Sequence, residues 1–390
     1  MHIDADALVE FTQALVRVPS VNEPGRGEEP AARLVVELMR SWGWQPVVDE
    51  VAPGRPNVIA VVDGGRPGPT LLFEGHTDVV TEGDRAGWTV DPFGAEIRDG
   101  RLYGRGSADM KSGLAAMLFA ARAVQINGPF PGRIKLAVLV DEEGMMLGAK
   151  HFVAAGHAAD VAAAIVCEPE AEEVCLTAKG ALRVRIGFHG AMAHGAMPQH
   201  GRNPVPALGR MLAWLAEFQD ELQHTHGVHP HLGLPYVTPT VIRVGDLDQI
   251  NVISADAVLA VDIRTTPAVD HSEVIAAVEK AAADIVDDVS VTVTVIDDRP
   301  ATETSPDSAV ARAVLTAHNN VVGVPADIGG VPGATDGTIL WRDAGLPIVV
   351  YGPGGKWIAH QVDEFVEVAD IVRKAAVYAE AARLFLGGAG

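Results

Sequence analysis

Cysteine is nearly absent, with two residues in 390, Cys167 and Cys175. That excludes a disulfide framework and any zinc site built from clustered thiolates. Neither cysteine has a histidine or a glycine-rich turn beside it in sequence, so both read as small buried residues, not reactive thiols. Basic residues are also scarce, 30 Lys and Arg against 51 Asp and Glu, for a formal net charge of −21. Polyanions are repelled by such a surface, which removes nucleic acid and anionic membranes as partners. No apolar run reaches the ~18 uncharged residues of a membrane helix. The stretch "MHIDADALVEF" is acidic where a secretory leader is basic and then apolar, so a cytoplasmic protein is expected. Internal repeats and low-complexity tracts are missing as well.

What is present is a chain with 48% hydrophobic residues, enough for a packed core and too long for one ordinary domain. Helical spacing is expected over 4–17, 28–42 and 112–124. Strand-like apolar runs stand at 57–62, 70–74, 134–140 and 163–167. This alternation predicts an α/β domain with largely buried strands. Near Lys179 the character changes to half-exposed alternation. Strands at 181–190, 240–244, 257–264 and 290–296, with helices at 204–218 and 272–287, give the order β-α-β-β-α-β. The expected architecture is therefore an α/β/α catalytic domain, 1–178 and 298–390, interrupted by a ferredoxin-like insertion at 179–297. A strand at 347–351 and a helix at 368–386 close the chain.

Four apolar runs of the large domain end in metal-ligand residue types. "LLFEGHTD" delivers His76 and Asp78, "VLVDEEG" delivers Glu142 and Glu143, "AIVCEPE" delivers Glu168, and "PIVVYGPGGKWIAH" delivers His360. Sites in open α/β sheets form at such carboxyl ends. A fifth candidate, Asp109, lies in the glycine-rich "YGRGSADMKSG". Adjacent carboxylates at a strand end repel unless a cation sits among them, and that is the problem "VLVDEEG" poses. Histidine and carboxylate donors without cysteine fit zinc, manganese or cobalt. Two histidines and three carboxylates exceed one tetrahedral zinc with an open position and suit two ions sharing a bridge.

These segments, with "GAMAHGAMPQHGRNP", "NVISADAVLAVDIR" and "GATDG", resemble in order and spacing the M20 metallopeptidases, the group of acetylornithine deacetylase, succinyl-diaminopimelate desuccinylase, aminoacylase and glutamate carboxypeptidase. The resemblance implies two divalent ions, zinc first, with cobalt or manganese as alternatives. His76, Asp109 and Glu168 would hold one, Asp109, Glu143 and His360 the other, with Asp109 bridging through a cis Asp109–Met110 peptide. Asp78 would orient the His76 ring, and Glu142 would be the general base toward a water shared by the ions. His194 would polarise the scissile carbonyl, reaching over from a partner subunit of a homodimer formed through the inserted lid. Asn251 and Arg264 would bind the substrate carboxylate, and Thr335, Asp336 and Gly354 would contact substrate. The implied reaction removes an acyl group from a small N-acyl-L-amino acid. A dipeptidase or carboxypeptidase of the same family is the alternative, and a non-catalytic binding protein on the same fold is the alternative of another class.

The sequence departs from the family pattern in two places. Gly195-Ala196 follows His194 where many members carry Ser, and Thr338 stands where desuccinylases usually carry Arg, which leaves the acyl group open. Three other features mislead. "GRGSADMKSG" has Met110 where a phosphate-binding loop needs Gly, so it is no nucleotide site. His224, His226, His229 and His231 are placed in a loop of the insertion, where adventitious metal binding is the most expected of them. Glu142 and Glu143 are adjacent and cannot face one another across a sugar as a glycosidase pair does.

Overall fold

Strands rich in Val, Ile, Leu and Ala without polar alternation need cover on both faces. In the computed structural model, which describes residues 1–390 apart from 24–26, 171, 286 and 389–390, such strands form one mixed sheet. The chain divides into two units. The first is Met1–Leu176, Thr304–Val331 and Thr335–Gly390; the second is Thr177–Glu303 with Pro332–Ala334.

In the first unit the strands run in the order Val47–Ala52, Arg55–Asp63, Phe130–Leu139, Gly65–His76, Ala163–Val166, Ile348–Val350, Glu173–Ala178. The central pairings are parallel: Gly65–His76 with both Phe130–Leu139 and Ala163–Val166, and the latter with Ile348–Val350. Those strands therefore end on the same side, and His76, Glu142, Glu143 and Glu168 leave the sheet there. Helix Ser112–Ile126 is buried almost throughout. Its alanines and Gly113 let its backbone lie against the sheet, and the closing helix Val368–Leu386 contributes to the same core.

The second unit has its own core and a four-stranded antiparallel sheet. Its elements are Gly180–His189, helix Val205–His226, Tyr236–Val244, Asp256–Thr265, helix His271–Ile285 and Ser290–Arg299. The strands lie in the order second, third, first, fourth, the ferredoxin-like arrangement.

Several sequence expectations are corrected. The helix expected to stop at Phe218 continues to His226, because Leu215, Phe218 and Leu222 keep burying one face until Gly227 turns the chain at φ 65°. His224 and His226 are thus helical, and only His229 and His231 lie in the loop. Strand Val47–Ala52 was not expected; it is an edge strand with neither face buried, so it carries no period-two signal. The last strand of the second unit, expected over 290–296, runs on through Asp297, Asp298 and Arg299. Position 286, inside the helix expected over 272–287, lies outside the described residues. Among the described residues no helix is long and apolar enough to cross a membrane.

Candidate metal centre

His76 is the last residue of its strand, buried at 1% exposure. Its Nδ1 lies 2.9 Å from the Asp78 carbonyl and 3.5 Å from the Asp78 carboxylate, so the nearer acceptor is backbone. Its Nε2 has no hydrogen-bond partner among the described residues although buried, and it stands 3.3 Å from both Asp109 Oδ1 and Glu168 Oε1. Across Asp109, His360 Nε2 is 3.2 Å from Asp109 Oδ2 and 2.9 Å from Glu143 Oε1. The donor atoms of His76, Asp109 and Glu168 converge, as do those of Asp109, Glu143 and His360. Two donors each ~2.0–2.1 Å from one ion at a tetrahedral angle stand about 3.3 Å apart. The observed separations match that edge, and the orphaned Nε2 is the atom a metal would take. The Asp109–Met110 peptide is cis.

Charge in this cluster is compensated by protons. Burial alone would lower His76, but Glu168, Asp109 and Asp78 together raise it well above the usual imidazole range. Hydrogen bonds to Asp109 and Glu143 raise His360 to about 10. Burial, and then the Asp109 charge, push Glu168 up to about 8. Asp109 is buried too, yet the His360 and His76 rings beside it hold its carboxyl well below the usual carboxylate range. Such protons are what a divalent cation displaces.

The acids of "VLVDEEG" divide the work. Glu142 is buried, and burial pushes it well above the carboxylate range, with His76 opposing and Glu168 and Glu143 adding. Asp78 accepts the backbone N–H of Glu142 at 3.2 Å and of Glu143 at 3.1 Å, so it shapes the turn carrying both. Asp141, to which the sequence assigned no task, has one. Its Oδ2 accepts Met145 N at 3.0 Å and Leu147 N at 3.3 Å, while Oδ1 accepts Arg55 Nη1 at 2.8 Å. Asn22 joins it to Asp78, donating to Asp78 Oδ2 at 2.7 Å and Asp141 Oδ1 at 3.1 Å.

The remaining candidates fall into groups. Thr335 caps helix Asp336–Ala344, its Oγ1 accepting Gly337 N. Asp336 is buried beside Glu74, whose carboxyl is raised well above its usual range by burial, then by the Asp336 and Glu168 charges. Sequence reading passed over Glu74, although it stands two residues before His76 on the same face of the strand. Gly354, at φ 87°, brings its backbone against Ala108; a Cβ there would stand 3.0 Å from the Ala108 Cβ. In the second unit, His194 is exposed on Ala193–His194, paired with Val252–Ile253, and Asn251 adjoins it, its carbonyl accepting Gly195 N at 2.6 Å. Arg264 is on another strand, with its fork on Asp262, Nε at 2.6 Å and Nη2 at 3.3 Å. A third acidic cluster, Glu170, Glu173 and Cys175, is filled by Lys356, whose Nζ is 3.1 Å from Glu170 and 2.5 Å from Glu173. His224, His226, His229 and His231 are in no such cluster among the described residues.

Comparison with known proteins bears on this arrangement. The chain is 33% identical over 400 residues to succinyl-diaminopimelate desuccinylase 2 of Ruegeria sp. (strain TM1040), covering 98% of this chain and 96% of that one. Its fold is similar to the M20 family metallo-carboxypeptidase Sso-CP2 from Sulfolobus solfataricus, with a TM-score of 0.79 at 20% identity over 99% of both chains. It is also similar to a dinuclear metal-binding M20 peptidase of Bacillus subtilis, with a TM-score of 0.74 at 16% identity over 98% of both chains. The model of peptidase family M20/M25/M40 matches residues 72–384, a span that takes in all five converging ligands, and the chain belongs to that family of amide-bond hydrolases.

Proposed function

We propose that this chain is a dinuclear-metal amidohydrolase that removes the acyl group from an N-acyl-L-amino acid. The observation that carries the reading is the pair of donor triads sharing Asp109, with Glu142 buried beside them. Two ions held by His76, Asp109 and Glu168 and by Asp109, Glu143 and His360 would lower the pKa of a water and polarise the acyl oxygen. Glu142 Oε takes the proton from the attacking water and passes it to the nitrogen of the leaving amine, so that one amide and one water yield a carboxylate and an amine. Burial suits Glu142 to this, because it favours the protonated form that a relay passes through. Asp78 holds the His76 ring and the 142–143 backbone at one place.

Recognition falls to the second unit. Asn251 and Arg264 bind the substrate carboxylate, with Asp262 holding the Arg264 fork in place beforehand. His194 donates to the acyl oxygen as charge develops on it. The edge strand Tyr236–Val244 exposes Val241, Ile242 and Val244 and, among the described residues, pairs along one side only, which favours pairing with a second copy across a two-fold axis. The relative named a desuccinylase supports an N-succinyl substrate, and Thr338 in place of Arg leaves the acyl group open.

A substrate panel tests this. Zinc-, cobalt- or manganese-loaded protein is given N-acetyl, N-formyl and N-succinyl amino acids alongside dipeptides. Turnover confined to dipeptides would replace the deacylase with a dipeptidase, and no turnover of any amide by fully loaded protein would leave a binding protein.

A further inference from the structure

Glu364 takes no part in the reaction above, yet it is fully buried and surrounded by donors. Its Oε1 accepts the backbone N–H of Ala108 at 2.9 Å and of Asp109 at 3.1 Å. Its Oε2 accepts the N–H of Gly106 at 3.1 Å and Arg105 Nη1 at 2.5 Å. Arg105, 2% exposed, reaches onward. Its Nη2 is 3.3 Å from the His360 carbonyl, its Nε is 3.3 Å from the Thr81 carbonyl, and its guanidinium stands 5.3 Å from the Trp88 ring. A short antiparallel pairing stands behind them. Phe365–Glu367 runs against Arg101–Tyr103, and Gly104 N donates to the Glu364 carbonyl at 2.9 Å.

Three amides from one short loop converge on a single carboxylate. That happens only when the loop curls into a concave nest, which Gly106 permits by standing at φ 80°. The carboxylate is thus the template around which 106–109 wraps. Asp109 is the one residue common to both donor triads. Its backbone is held from behind by Glu364, while its side chain faces His76 and His360. Through Arg105 the same carboxylate is tied to the His360 backbone, about 250 residues further along the chain.

We propose that the buried Glu364–Arg105 pair is a positioning device that preforms the Asp109 bridge and sets its spacing to His360 before any ion arrives. The proposal rests on the dinuclear reading for its purpose, but the preformed loop is a property of the metal-free chain. Glutamine at 364 keeps the size and loses the symmetry. Whichever way its amide is turned, its NH₂ faces donors, either the Ala108 and Asp109 amides or the Gly106 amide and Arg105. Partners that orient metal ligands typically cost 10–100-fold in affinity when removed.

The test uses metal-free full-length wild type, Glu364→Gln, Arg105→Lys and Met39→Ala, the last a core truncation on the helix Glu29–Ser41. Hydrogen exchange over 104–111 and cobalt titration followed by visible absorption are read on each. Exchange in that segment should quicken at least tenfold in Glu364→Gln without metal, and cobalt affinity should fall about 10–100-fold. Arg105→Lys keeps the charge but loses the link to His360, so its affinity should fall with less change in exchange. Met39→Ala should lower the melting temperature and leave cobalt affinity as in wild type. Wild-type exchange and cobalt affinity in Glu364→Gln would overturn the proposal. So would a Met39→Ala protein, matched in melting temperature, that lost as much affinity. If wild type itself takes up no cobalt, the dinuclear reading fails, while the exchange measurement still decides whether Glu364 preforms the loop.

Discussion

Gly113→Ala should damage the metal centre without touching a ligand. An added Cβ at Gly113 would lie 2.0 Å from the Cys167 carbonyl oxygen, whereas ordinary contact begins at 3.4 Å. The difference, 3.4 − 2.0, requires an opening of about 1.4 Å between helix Ser112–Ile126 and the chain at Cys167. Helix and sheet are both buried, so neither can yield alone. Gly352 closes the other side, where a Cβ would meet the carbonyls of Cys167 and Glu168 at 2.3 and 2.4 Å. Glu168 is the residue immediately after the clash. Metal–ligand distances tolerate about 0.2 Å, so a shift several times larger removes Glu168 from its triad. Overpacking should cost about 1–3 kcal/mol of stability, and misplacement by about 1 Å should cost on the order of 10²-fold in kcat/KM. The assay is metal content after dialysis at fixed free zinc, with calorimetric melting on the same samples. Gly209→Ala is the control: it is helical and exposed with no atom within 4 Å of the new Cβ, so it should stabilise by about 0.5–1 kcal/mol. Gly113→Ala protein with two metals at wild-type affinity and an unchanged melting temperature would refute the reasoning.

Four further outcomes are expected. Glu142→Gln should keep both metals and lose about 10²–10⁴ in kcat, whereas Glu143→Gln should lose one metal equivalent, as read by elemental analysis; equal metal loss in both variants would merge their roles. Metal affinity should rise with pH, because His360 at about 10 and Glu168 at about 8 hold protons in the metal-free site that binding must expel. Below pH 8 each such proton contributes about tenfold per pH unit, and the slope should lessen above 8 as Glu168 ionises on its own; calorimetry in buffers of different ionisation enthalpy counts the protons, and a flat profile would contradict the assignment. Arg264→Lys should raise KM for an N-acyl amino acid but not for the same compound with its carboxyl amidated, since a point charge cannot replace the fork that Asp262 aligns. Mixed with exchange of subunits, inactive His194→Ala and Glu142→Ala proteins should recover about a quarter of the wild-type sites if His194 acts across a two-fold dimer; no recovery despite confirmed exchange would place His194 within its own chain or outside catalysis.

The five converging ligands were legible because each is a donor type placed just after an apolar run or glycine-rich turn, and parallel strands bring such ends together. The βαββαβ order of the insertion was legible from its alternation. Groups that act on the ligands from a distance in sequence were not. Asn22 reaches Asp78 and Asp141 from 56 and 119 residues away. Glu364 reaches Asp109 over 255. Neither has any local pattern to mark it, since an asparagine in a loop or a glutamate before a strand is ordinarily solvated. Glu74 could have been found, because a charged residue in the middle of "LLFEGH" interrupts a buried strand and therefore needs a partner. The end of helix Val205–His226 was missed because a single apolar residue, Leu222, carries its last turns.

The strand order also has a consequence for how the chain is made. Ile348–Val350 lies between Ala163–Val166 and Glu173–Ala178, pairing with each. Both neighbours leave the ribosome at least 170 residues earlier, since 348 − 178 is 170. At about 5–20 residues per second that is roughly 9–34 s of synthesis. Throughout that interval the slot between them has no strand to fill it, and its backbone edges can accept any extended segment that arrives. A nascent chain would therefore need chaperone cover, or the insertion folding early on its own core, to keep the slot clear. A chain stopped before 348 should gather in aggregates, and a synthetic peptide spanning 347–352 should compete for the gap.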